Sequence, residues 1–200
     1  MGAFALLVQF APPAAADDGS GGGSINAPTM ITRPGNYTLR RAMTARSDRP
    51  MITIAADDVT LDLSGLTLTG LGGKRGAGIV IEGRTNIAVR NGSLRNFGIA
   101  VHVTDSANVR LEGLRISGED IPGLPPETGI LLVNTRAARV TGNLIHNTFL
   151  GLFVRGSGSS GKATQANILV NNYLGFFDSG IEERTTGSNT IANNMEAHLP

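Results

Sequence analysis

Apolar and polar residues alternate with a period of two along much of the chain. The first long run covers residues 52–69, where Ile, Val and Leu alternate with Thr and Asp. Successive side chains of a β-strand point to opposite faces, so this alternation predicts strands with one buried and one exposed face. No segment of the sequence has a sustained helical period. The pattern therefore predicts an all-β chain of short strands.

These strands recur as a repeat in which a Gly-led apolar strand precedes an Asn-bearing strand. The leading glycines are spaced 20, 31, 22 and 24 residues apart, and the long interval contains an insertion at 118–128. A period of this length is too short for a helix pair and fits one coil of a β-solenoid. We predict about six coils of three short parallel strands. The leading glycines are Gly78, Gly98, Gly129, Gly151 and Gly175. The predicted inward row is Ile79, Ile99, Ile130, Leu152 and Phe176.

A recurring Asn or Gly is predicted to bend each coil between its second and third strands. Both residue types tolerate left-handed backbone, which a tight bend requires. Stacked Asn side chains can also hydrogen-bond to the next coil, about 4.8 Å away. The residues assigned to this bend are Asn91, Gly113, Asn143, Asn171 or Asn172, and Asn193 or Asn194.

The sequence divides into four segments. Residues 1–16 form an apolar run that ends in small residues, without a preceding Lys or Arg, and this predicts a signal peptide cleaved after Ala16. Residues 17–24 are typical of a flexible linker, and residues 25–50 are predicted to cap the first coil. Residues 51–200 form the predicted solenoid. We expect a periplasmic or secreted protein.

Composition removes several classes of function. The net charge of +1 and the charged fraction of 16% argue against binding to nucleic acid or to anionic lipid. No apolar run is long enough to span a bilayer. The chain has no Cys, which excludes disulfides and thiol chemistry, and its three His do not pair at metal-like spacing. We expect no metal and no cofactor.

The repeat resembles the right-handed parallel β-helix repeats of the pectate-lyase-like superfamily, and its texture is closest to NosD-type proteins. The resemblance covers roughly residues 30–196. It is carried by Arg33-Pro-Gly-Asn-Tyr-Thr-Leu39, by the run Asp58–Gly70 and by the Gly-led coils. It implies a single-stranded right-handed β-helix. The superfamily includes polysaccharide lyases, hydrolases, epimerases and non-catalytic proteins, so it does not imply one activity. Its lyases use calcium, for which no site is recognisable in this sequence.

The strand period predicts two outward columns on the Gly-led strands. The first column is apolar, which an exposed sheet face usually avoids. We interpret it as a sugar-stacking platform, as a subunit interface between copies of the chain, or as a face that the chain itself covers. The first column contains Val80, Ala100, Leu131, Phe153 and Phe177, and the second contains Glu82, His102, Val133 and Arg155.

The candidate site lies on the same face. His102 and Arg155 are the predicted proton-transfer residues, because one column would hold both, two coils or about 10 Å apart. Phe153 and Phe177 are candidate ligand contacts. Glu119, Asp120 and Glu127, on the insertion, are predicted to line one wall. The sequence favours a non-catalytic binding or scaffold protein, with polysaccharide as the ligand class or a protein as partner. The alternative is a lyase, hydrolase or epimerase acting on an acidic glycan.

Overall fold

The structure is a computed structural model, and its described residues build a stack of parallel strands. The described residues are 21–72, 75–118, 128–156, 163–165, 167–179, 189–194 and 196–199. Their strands, numbered in chain order, are β1 Gly22–Ile25, β2 Thr29–Ile31, β3 Gly35–Leu39, β4 Met43–Thr44, β5 Ile52–Ile54, β6 Val59–Asp62, β7 Thr67–Thr69, β8 Ala77–Glu82, β9 Thr85–Arg95, β10 Ile99–Thr104, β11 Ala107–Ser117, β12 Thr128–Val133, β13 Arg139–Thr141, β14 Leu144–His146, β15 Leu150–Arg155, β16 Ala163–Gln165, β17 Ile168–Val170, β18 Leu174–Ser179, β19 Thr190–Ala192 and β20 Glu196–Leu199.

These strands form two sheets that wrap one apolar core. Sheet A has twelve strands, with β1, β3, β6, β9, β11, β14, β17 and β19 along its main path. Sheet B has eight, in the order β2, β5, β8, β10, β12, β15, β18 and β20. Inward Ile, Leu and Val side chains of both sheets form one cluster. The predicted fold, an all-β parallel β-helix of stacked coils, is confirmed. The described residues contain no helix that is long and apolar enough to cross a membrane.

The bend between the second and third strands of a coil lies inside sheet A. Strands β9 and β11 are each 11 residues long and run through this bend. Asn91 and Gly113 occupy the bend with φ of 57° and 61°, as the sequence predicted. In the next coil Gly142 adopts the left-handed conformation, with φ of 63°, and Asn143 beside it is buried.

The predicted bend position is wrong in the last two coils. Asn171 and Asn193 do have positive φ, 55° and 53°, but they follow the third strand. Strand β17 pairs with β14, and β19 pairs with β17, so both are third strands. The Asn at the start of each of these strands predicts a second strand from the sequence pattern. In the structure that Asn sits at the bend itself.

A ladder of buried Asn side chains runs along this bend. The backbone amide and the Nδ2 of Asn143 both donate to Oδ1 of Asn167, at 3.0 and 2.9 Å. Asn167 donates in the same way to Oδ1 of Asn189, at 3.0 and 3.1 Å. Oδ1 of Asn143 accepts from the backbone of Leu114. Because an unpaired polar group in a core is costly, these bonds make buried Asn acceptable there.

A second ladder follows the third strand. The backbone amide and hydroxyl of Thr148 donate to Oδ1 of Asn172, at 2.9 and 2.7 Å. The backbone amide of Asn172 donates to Oδ1 of Asn194 at 2.8 Å. Nδ2 of Asn172 donates to the carbonyl of Ile145 in the coil before. This second ladder therefore links successive coils at the turn that leads from sheet A to sheet B.

The segment before residue 51 contributes strands to both sheets. Strand β2 pairs with β5, β3 pairs with β6, and β4 pairs with β7, all in parallel. Strand β1 lies partly in the predicted linker and pairs with β3. Residues 25–50, predicted as a cap, thus continue the stacking of the solenoid. Residues 1–16 lie outside the described residues.

The inward row of sheet B differs from the prediction in the third coil. Val101 pairs with Ile79 and Ile130 and is fully buried, whereas Ile99 is half-buried and pairs with Ala77. The predicted inward position of Ile99 is therefore wrong by two residues. Ile79, Ile130 and Leu152 do face the core as predicted. Phe176 continues their register, opposite Leu152.

The reason for this error is a steric rule at the second position of each sheet B strand. A Cβ built on Gly78 would lie 2.6 Å from the carbonyl oxygen of Ala100 on the next strand. Gly129 and Gly151 face the same kind of carbonyl contact. The position therefore takes a very small residue, and in β10 that residue is Ala100. The sequence pattern predicts a Gly at this position, and Gly98 lies two residues before it.

The register predicts opposite outcomes for two neighbouring substitutions. Val101→Asp places an unpaired carboxylate in the core and should lower the free energy of unfolding by more than about 4 kcal/mol. Ile99→Asp places the same group on a half-exposed face and should cost about 1 kcal/mol. Urea unfolding followed by circular dichroism measures both. Equal losses in the two variants would contradict this register.

Candidate functional site

Four strands of sheet B have six residues each and share one pattern of burial, which we number as positions 1 to 6. In β8, β10, β12 and β15, positions 1, 4 and 6 are exposed or half-buried, while positions 2, 3 and 5 are buried. Residues at position 4 lie directly opposite one another on adjacent strands. We call this set the position-4 column. Its members on the four strands are Val80, His102, Leu131 and Phe153.

The position-4 column differs from the predicted apolar column at a single residue. Ala100, predicted to face outward, is 3% exposed and sits at the small-residue position. His102 takes its place between Val80 and Leu131. Val80, Leu131 and Phe153 lie in the column as predicted, all half-buried. Phe177 pairs with Phe153 and continues the column by backbone register.

The proposed catalytic pair does not share a column. The position-6 column contains Glu82, Thr104, Val133 and Arg155. His102 belongs to the position-4 column, so the predicted alignment of His102 with Arg155 is wrong. The two residues lie on strands separated by β12, in different columns. The same two-residue error in the predicted register of β10 explains this wrong column assignment.

The acidic residues predicted to line one wall of the site, Glu119, Asp120 and Glu127, are not among the described residues. Much of the second flanking loop, residues 157–162, also lies outside them. The described part of the site is therefore the open face of sheet B itself.

The imidazole of His102 is held by its own strand. Its Nε2 lies 2.9 Å from Oγ1 of Thr104, two residues along β10 on the same face. Burial disfavours the charged ring and lowers the pKa of His102 below its usual 6.5, while the carboxylate of Glu82 opposes this effect. The neutral imidazole is thus the favoured form on this face near neutrality.

An open depression of about 540 Å³ lies beside His102. Gly76 and Gly98 occupy neighbouring positions at its floor, where they contribute no side chain. Asp48, Val80 and Thr128 contribute to its lining. Sequence reasoning did not assign Asp48 to the site. No sequence motif marks Asp48; its backbone carbonyl lies against Gly76, where a Cβ would come within 3.2 Å of that oxygen.

The described residues contain no cluster of three or more His, Asp or Glu side chains that could hold a metal ion. The depression is lined by both His102 and Asp48. The adjoining column adds apolar surface and one aromatic ring, from Phe153. A face of this kind offers stacking to a sugar ring and hydrogen-bonding groups to its hydroxyls.

Comparison with known families agrees with this fold. A family described as right handed beta helix region matches residues 53–195, which is well over half of the chain. The chain belongs to the right-handed β-helix family. A comparison with curated proteins gives no match.

The lowered pKa of His102 predicts a pH effect on stability. The unfolded chain binds a proton near pH 6.5, whereas the folded chain resists protonation, so stability is lost as pH falls below this value. We expect the stability of wild type relative to His102→Gln to be constant above neutrality and to decrease between pH 7 and 5.

Urea unfolding across this pH range, with both proteins in the same buffers, measures the difference. The comparison cancels the titration of every group that the two proteins share. A wild-type minus variant difference that stays flat from pH 8 to pH 5, or that grows as pH falls, would contradict the lowered pKa.

Proposed function

We propose that this protein is an exported, non-catalytic β-helix that binds a polysaccharide on the outer face of sheet B. The observation that carries the proposal is the position-4 column. Three apolar side chains, of Val80, Leu131 and Phe153, remain half-exposed in this column, with His102 between Val80 and Leu131. Levels are spaced by about 4.8 Å, so a linear polymer lying along the column contacts several of them.

The chemistry of the flanking positions also favours a sugar ligand. The pyranose ring has an apolar face that packs on aromatic side chains, and hydroxyls around its rim that need polar partners. Phe153 supplies the ring, and Thr104, Glu82 and Arg155 lie in the adjacent column. His102, held by Thr104, adds a hydrogen-bonding nitrogen within the apolar column.

The test compares two Phe→Ala variants. Phe153→Ala should weaken polysaccharide binding about tenfold, because it removes the aromatic surface from the column. Phe149→Ala is the matched control: Phe149 immediately precedes β15 and is not a member of the position-4 column. It stacks on Tyr173 with ring centroids 4.5 Å apart, and its loss should leave binding unchanged. Affinity electrophoresis in gels containing single polysaccharides measures both variants against wild type.

Three results would contradict this proposal. The first is a wild-type protein that no polysaccharide retards, and the second is equal binding by wild type and Phe153→Ala. The third is a wild-type dimer that Phe153→Ala dissociates, because the column would then be an interface between two copies of the chain. Circular dichroism establishes that both variants are folded.

A second candidate function is a lyase or hydrolase acting on an acidic glycan. The observation that favours it is the position of His102 and Asp48 on one depression, since an imidazole and a carboxylate can divide acid and base roles. Incubation of the purified protein with polyuronates, followed by assay for new reducing ends and unsaturated products, distinguishes it from binding alone. Turnover that His102→Gln abolishes would favour the enzyme.

Export is part of the proposal and rests on the apolar run of residues 1–16. We expect protein recovered from the periplasm or the medium of its native cell to begin at Asp17, because cleavage follows the small residues that end at Ala16. N-terminal sequencing or intact mass measures this directly. Recovery of the mature protein with Met1 intact would contradict a cleaved signal peptide.

A further inference from the structure

The outer face of sheet A is rich in arginine. Six exposed arginines lie on β9, on β11 and in the segment that leads into and begins β13. They are Arg90, Arg95, Arg110, Arg115, Arg136 and Arg139. The formal charge of the whole chain is only +1, so this face concentrates positive charge that the rest of the molecule offsets.

Two of these arginines lie directly opposite each other. Arg110 on β11 pairs with Arg139 on β13 in the parallel register. On the flanking levels the same column contains Ala88 and Ala163, which bear only a methyl group. We call Arg110 and Arg139 the arginine ladder. Like charges on directly opposed residues destabilise a sheet, so the ladder is unfavourable in the absence of an anion.

The neighbouring column shows the contrasting arrangement. Arg90 lies between Asp62 and Glu112 in the register, and its Nε is 3.1 Å from Oδ2 of Asp62. Arg90 thus has an acidic residue opposite it on each of the two adjacent strands. The ladder lacks a carboxylate in its own column, and Arg136 lies three residues before Arg139. Arg110 and Arg139, unlike Arg90, therefore have no acidic residue at their own register position on the adjacent strands.

We propose that the arginine ladder binds an acidic glycan chain, at a surface separate from sheet B. Guanidinium groups bind carboxylate and sulfate oxygens in paired hydrogen bonds, which suits a polymer with repeated oxyanions. The two guanidinium groups project from adjacent levels about 4.8 Å apart, so a polymer with closely spaced charges can contact both. Ala88, on the preceding level, leaves room for the chain to continue along the solenoid.

A glycan fits this surface better than a nucleic acid. Proteins that hold single strands stack the bases on aromatic rings. The residues around the ladder are Ala88, Arg90, Glu112 and Thr141, without an aromatic ring among them. Thr141 and Glu112 instead offer hydrogen bonds to sugar hydroxyls.

The experiment compares two double variants of the full chain. Arg110→Gln with Arg139→Gln removes the ladder and should weaken binding to an acidic oligosaccharide about tenfold. The control, Arg95→Gln with Arg115→Gln, removes the same charge from the same sheet. Arg95 and Arg115 lie opposite Ser117 and Ser93, so this pair is not a ladder. Calorimetric titration with a polyuronate and with a sulfated oligosaccharide, in separate arms, distinguishes the two anion sources.

Loss of binding in the ladder variant, with the control within about twofold of wild type, supports the proposal. Phe149→Ala should also leave this binding unchanged, since Phe149 stacks on Tyr173 and is not part of the ladder. Equal loss in both double variants would overturn the proposal, because net charge alone would then explain binding. Tighter binding of wild type to a single-stranded oligonucleotide would also overturn it, as would absence of binding in both glycan arms. Unfolding curves should show the ladder variant at least as stable as wild type.

Discussion

The structure depends on in-register stacking of parallel strands. Each strand bonds to the strand one coil earlier and to the strand one coil later, so a residue is placed by its register rather than by its distance along the chain. Position in a column then decides whether a side chain is buried, crowded by a carbonyl or open to solvent. Both candidate surfaces are consequences of this constraint. Val80, His102, Leu131 and Phe153 meet only because the register aligns them.

The solenoid places polar groups inside its core at the points where the chain must turn. A bend exposes backbone amides that no neighbouring strand can satisfy, and Asn supplies a side-chain oxygen for them. Asn143 and Asn167 are each 1% exposed, yet their amide groups have hydrogen-bond partners in the coils before and after. The repeated Asn in the sequence is therefore a requirement of the turn and does not indicate a ligand site.

The sequence predicts the fold well because alternation and repeat length are both direct consequences of a solenoid. It predicts the site less well because a site depends on register. Gly occupies the crowded second position in four strands, but Ala100 occupies it in β10, and for this reason the position predicted for His102 is wrong by two residues. Asn167 and Asn189 looked like the start of a second strand, although they lie at the bend. In both cases the same residue type fits more than one position of the coil. Only the pairing of strands shows which position a residue occupies.

The Asn ladder has a direction. In each step a coil donates its backbone and side-chain N–H groups to an oxygen of the following coil, from Asn143 to Asn167 and from Asn167 to Asn189. The amide dipoles therefore align along the solenoid axis and polarise one another. Coils of this type are not interchangeable modules. A coil moved to another level, by recombination or by design, needs a neighbour that presents an acceptor on its C-terminal side. This requirement limits which repeats can be duplicated or exchanged without leaving a buried amide unpaired.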